Sequence, residues 1–69
     1  MRIISKDMDK DATKSIVYLV DENDNPLKAK IVNYDKKREF IDELLNEYFN
    51  GDTYHNHLSE ITYQQYINQ

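Results

Sequence analysis

Carboxylates, imidazoles and hydroxyls are the groups in this chain with the chemistry to bind or react. Asp7, Asp9 and Asp11 alternate as the first ligands of an EF-hand calcium loop do. The pattern then breaks: the position that needs glycine for its turn is Ala12, and the one that needs a bidentate glutamate is Tyr18. Asp21, Asn23 and Asn25 begin the same way and fail at Pro26 and Val32. Both stretches are expected to be solvated loops. His55 and His57 flank Asn56, with Asp52 and Tyr54 close by, and two imidazoles with a carboxylate suit a transition metal. A zinc site needs further fixed ligands and outer support, so a polar connection is the expectation here, and no metal.

Catalysis needs a nucleophile or base held by partners in a pocket that excludes water. Ser5, Ser15 and Ser59 have no nucleophile-elbow context, and Gly51 is the only glycine, which excludes a glycine-rich phosphate loop. The absence of cysteine excludes disulfides, thiol catalysis and cysteine-ligated zinc. Asp42 and Glu43 are adjacent carboxylates on a helix surface, where solvation explains them. At 69 residues the chain is too short to wall a ligand-sized cavity. No enzymatic activity and no cofactor are expected.

The elements that position these groups make one small α+β domain spanning residues 1–69. Ser15 to Val20 is β-branched and aromatic, and turn residues bound it; it reads as the strongest strand. Asp21 to Pro26 favours a turn. Leu27, Ala29 and Ile31 then alternate with Lys28 and Lys30, the period of a half-buried strand with the lysines on its wet face. The result is an antiparallel hairpin, and Arg2–Ser5 or Thr53–Ile61 is available as a third strand. From Lys36 to Asn50 the rows Phe40, Leu44, Tyr48 and Ile41, Leu45, Phe49 recur at helical spacing. Asp35 is the expected N-cap, with Asn33 the alternative, and Gly51 the left-handed residue past the end. Thr62 and Gln65 form a capping box for a short helix from Tyr63 to Asn68, with Ile61 and Tyr66 at the staple positions. The expected order is two strands, the main helix packed on them, then the short helix. The N-terminal apolar run, Ile3 and Ile4, is too short for a signal or a membrane span, and a cytoplasmic location is expected.

Charge is distributed unevenly. Residues 1–38 hold nine bases and seven acids, a balance of +2, whereas residues 39–69 hold six acids and no base, a balance of −6. Glu39, Glu43 and Glu47 recur at spacing four with Asp42 beside them, an arrangement in which like charges are neighbours and the helix gains nothing. Extended by Asp52 and Glu60, with Tyr54 beside them, this row is the candidate surface for a protein partner with a basic face, and a solubilising surface is the bland account of the same residues. Tyr63 and Tyr66 lie in the same acidic half. Lys28, Lys30, Lys36, Lys37 and Arg38 form the opposite pole, a candidate phosphate-binding patch. Net charge of −4 and the absence of helix-turn-helix or RNP-type sequence weigh against direct nucleic-acid binding.

In size, acidity and the pairing of a hairpin with a helix bearing Glu39, Asp42, Glu43 and Glu47, the chain resembles small phage or mobile-element proteins. Among these are anti-CRISPR proteins and other DNA mimics. The resemblance implies a regulator or inhibitor that offers carboxylates to the basic groove of a nucleic-acid enzyme, and it gives no residue a role. Self-association through an exposed strand edge or through the tyrosines is a further expectation, with a homodimer as its product.

Overall fold

The β-branched and aromatic run forms strand β2, Lys14–Val20, in the structure, a computed structural model that describes residues 1–52 and 57–68. Strand β1, Arg2–Asp7, precedes it and β3, Pro26–Asn33, follows. Helix α1, Tyr34–Tyr48, leads to β4, Leu58–Ile61, and to a short helix α2, Tyr63–Ile67. The strands make one mixed sheet in the order β3-β2-β1-β4, with β2 antiparallel to both neighbours and β1 parallel to β4. The expected hairpin is β2–β3. The expected order is corrected to three strands, a helix, a strand and a helix, because both undecided segments supply strands. A lone hairpin is marginal in water, and these two strands widen the sheet enough to carry a helix.

Residues directly opposite in a ladder share a face. The register therefore puts Ile3, Leu19 and Lys28 on one side, together with Ser5, Val17, Lys30 and with Asp7, Ser15, Val32. Helix α1 packs on this side: Phe40, Ile41, Leu44 and Leu45 join Ile3, Val17, Leu19 and Val32 in one core, with Tyr48, Phe49 and Leu58 packed against it. Both apolar rows of the helix are thus used.

Strand β3 reverses the expectation. Leu27 and Ile31 are 53% and 56% exposed, on the side away from α1, while Val32 is buried. Lys28 and Lys30 lie on the helix side. Their long stems run along the edge strand, and their ammonium groups find partners on α1: Glu47 at 3.5 Å and the Phe40 ring at 5.3 Å. An alternating strand states which residues share a face; the position of the helix decides which face is inner.

The ends of α1 also differ from expectation. Its N-cap is Asn33, without a side-chain bond, and Asp35 sits inside the first turn, where its charge complements the helix dipole. The helix stops at Tyr48, and Asn50 and Gly51 are both left-handed, at φ 56° and 74°. The Gly51 amide donates to the Leu45 carbonyl at 2.9 Å. In α2 both halves of the Thr62–Gln65 capping box are present.

The two aspartate-rich stretches are loop caps. Asp9 accepts from the amide and hydroxyl of Thr13, the hydroxyl bond first among the causes that lower its pKa. Asp21 accepts from the amides of Asn25 at 2.9 Å and Asn23 at 2.8 Å, and these bonds, Asn25 first, hold its carboxyl below the ordinary value. A lowered carboxyl contributes stability that is complete above its ordinary pKa and lost as pH falls through the lowered one. The difference in urea midpoint between the native chain and Asp21→Asn is therefore expected to hold at neutral pH and close in acid. A gap that ignores pH contradicts this role for Asp21.

Candidate functional site

Positions on a helix that alternate with a buried stripe point to solvent. Accordingly Glu39, Asp42, Glu43 and Glu47 all stand exposed on α1. They are not a bare row of like charges. Glu39 lies 3.6 Å from Lys36, Asp42 3.4 Å from Arg38, and Glu47 3.5 Å from Lys28 of β3. Three members of the phosphate-binding patch are thus spent on three members of the acidic row. The two poles are interleaved, and the repulsion expected at spacing four is offset locally. Counting Asp35, Glu39, Asp42, Glu43 and Glu47 against Lys28, Lys36 and Arg38, five acids meet three bases and the surface keeps a balance of −2.

Lys37 does not belong to that surface. Its side chain is only 12% exposed, turned toward the sheet, with Nζ 3.4 Å from Glu60 of β4 and 4.8 Å from the centre of the Tyr34 ring. Lys30 also faces the core side, over Phe40. The five basic residues named from the sequence therefore do not form one patch.

Asp52 follows α1, exposed, with Oδ2 3.1 Å from Nε2 of His57, whose ring stacks on Phe49 at 4.2 Å. This contact fastens the start of β4 to the end of α1. Tyr54 and His55 lie outside the described residues. Among the described residues no group of three His, Cys, Asp or Glu side chains is placed to hold a metal ion, and no helix is long and apolar enough to cross a membrane.

Two features were missed in the sequence. The first is the sheet face opposite α1, where Ile4, Tyr18 and Ala29 lie in one row and Lys6, Ile16 and Ile31 in the next. Helix α2 packs on β1, with the Tyr66 ring 5.8 Å from Lys6, while Leu27 and Ile31 at the β3 side stay open. The second is a polar cluster on the helix side, where Ser5 and Ser15 are fully buried beside Asp7. The signal for it was present: Ser5 and Ser15 occupy core positions in the alternation of Ile3, Val17 and Leu19. No protein-family model, curated protein or solved structure matches this chain. Function is accordingly read from these surfaces.

Proposed function

We propose that the chain is a non-catalytic protein-binding module that docks on a basic partner through the outer face of α1. The observation that carries this reading is the exposure of Glu39, Asp42, Glu43 and Glu47 together on one rigid 15-residue helix, where none of them is needed for the core. Their ion pairs with Lys28, Lys36 and Arg38 are solvent-exposed, and such pairs contribute about 0–1 kcal/mol each. Arginines of a partner replace them at little cost, and bidentate geometry favours the exchange. A nucleic-acid-binding protein is the partner class with a surface of that sign, so the specific form of the proposal is a regulator or inhibitor that competes with nucleic acid. Capture from a bacterial lysate tests it: the partner is expected to elute with high salt and to be displaced by added DNA. A partner held equally at all salt concentrations and indifferent to DNA contradicts it.

Direct binding of nucleic acid is less favoured, since Lys28, Lys36, Lys37 and Arg38 are each paired with a carboxylate. The chain is expected to pass through heparin unretained at low salt. A second reading, self-association, is favoured by the open Leu27 and Ile31 on the sheet face. Two such faces apposed make a sandwich that leaves both acidic helices outside, so it is compatible with the first reading.

A further inference from the structure

The one glycine of the chain follows an asparagine, and that pair is the most reactive of its asparagine positions. An asparagine amide carbon lies within reach of the backbone nitrogen of the next residue. Closing the five-membered ring between them is an intramolecular reaction, with the high effective concentration that implies. A Cβ on the following residue crowds the approach, and Gly51 has none. Asn23, Asn33 and Asn46 precede Asp24, Tyr34 and Glu47, and Asn25 precedes Pro26, which has no amide proton to give up.

The fold places the pair in a tight turn. Asn50 and Gly51 have φ 56° and 74°, and the Asp52 N–H donates to the Phe49 carbonyl at 3.0 Å. Two central residues of positive φ with this bond make the pattern of a type I′ turn, for which Asn-Gly is a preferred pair. Both residues are exposed, so water and hydroxide reach them. The attacking nitrogen is nevertheless occupied. The Gly51 N–H donates to the Leu45 carbonyl at 2.9 Å, and it must leave that acceptor and lose its proton before the ring can close. His57 fastens the turn on both sides: its ring stacks on Phe49 at 4.2 Å, and its Nε2 lies 3.1 Å from Asp52 Oδ2. Ring closure therefore waits on a local opening at the end of α1.

We infer that Asn50–Gly51 is a self-modification site whose rate is set by the end of α1. When the turn opens, the deprotonated Gly51 nitrogen attacks Asn50 Cγ. The Cγ–Nδ2 bond breaks, and Nδ2 takes up a proton from solvent and leaves as ammonia. Water then opens the succinimide at one of its two carbonyls, giving aspartate or isoaspartate. Water is the only co-reactant. Either product adds one carboxylate and takes the net charge from −4 to −5. The new charge stands at the negative end of the helix dipole, and the last turn of α1 carries no base to offset it. Isoaspartate also adds a backbone methylene between residues 50 and 51, which separates the Gly51 and Asp52 amides from the Leu45 and Phe49 carbonyls. The site lies past the end of α1 and does not depend on a partner at the outer helix face.

Ageing of the purified chain in mildly alkaline buffer, followed by mass spectrometry of its proteolytic fragments, tests the inference. The mass gain of an amide-to-acid exchange is expected at Asn50 before any other asparagine. In guanidinium chloride, where the turn is lost, the gain is expected at least about tenfold faster than in the folded chain, the factor that an opening of about 1.4 kcal/mol provides. His57→Ala, its fold checked by circular dichroism, is expected to react at a rate between the two. Gly51→Ala is compared with the native chain in guanidinium chloride, where strain in the fold has no bearing. It is expected to react at least about tenfold more slowly, because its Cβ hinders the approach. Equal rates for the native chain folded and denatured, or a His57→Ala rate no different from the native, overturn the control by the fold. A first modification at another asparagine, or a Gly51→Ala chain as fast as the native, overturns the site.

Discussion

Leu44→Ala is expected to leave the chain mostly unfolded at 25 °C. Leu44 is fully buried in a core that holds eight buried apolar side chains among the described residues. Truncating a buried leucine costs about 2–5 kcal/mol, including the cavity left behind. A domain of this size without disulfides has only about 3–5 kcal/mol of net stability. The loss is therefore of the same size as the whole. Far-UV circular dichroism with urea titration checks it, with Leu27→Ala as the control, since Leu27 is 53% exposed and its truncation should shift the midpoint little. Similar midpoints for the two variants contradict the placement of α1 over the inner face.

Ile31→Lys is expected to abolish self-association without unfolding the monomer. Ile31 lies opposite Ile16 on the uncovered sheet face and is 56% exposed, so a lysine there keeps its charge in water when the chain is alone. Two apposed faces bury that charge, next to Lys6 in the same row, and an unpaired buried ammonium is strongly unfavourable. In sedimentation equilibrium the native chain should shift with concentration toward twice 8.3 kDa, and the variant should remain at 8.3 kDa. A native chain that is monomeric at every concentration removes the second reading and leaves the first standing.

Local signals in the sequence were sufficient for β2, for α1 and for the capping box of α2, because each depends on neighbours a few residues apart. Strand β4 was not legible as such: four residues, Leu58–Ile61, give too little alternation to tell strand from loop, and pairing with β1 creates it. The facing of β3 failed for a different reason. Leu27, Ala29 and Ile31 outnumber Val32 as apolar residues, but the register with β2 puts Val32 on the side of Ser15 and Val17 where the helix lies. Charge was the least legible. Lys28 and Glu47 are far apart in sequence, and only the packing of α1 along β3 brings them within 3.5 Å. Lys28, Lys36 and Arg38, read as part of a separate pole, therefore share one mixed surface with the acidic row. Buried Ser5 and Ser15 were visible as polar residues at core positions, but that Asp7 pairs with Ser15 and leaves Ser5 without a partner among the described residues follows from the register of β1 with β2.

Charge reversal on the outer helix face tests the central claim most directly. Glu39→Lys with Glu43→Lys replaces two exposed carboxylates and leaves the buried rows untouched. Measured by titration calorimetry against the captured partner, the double variant is expected to bind at least about a hundredfold more weakly, as two lost and reversed rim charges imply, with an unchanged urea midpoint. The native affinity is expected to fall as salt rises. A double variant that binds as tightly as the native chain contradicts the docking surface and returns the acidic row to a solvated face.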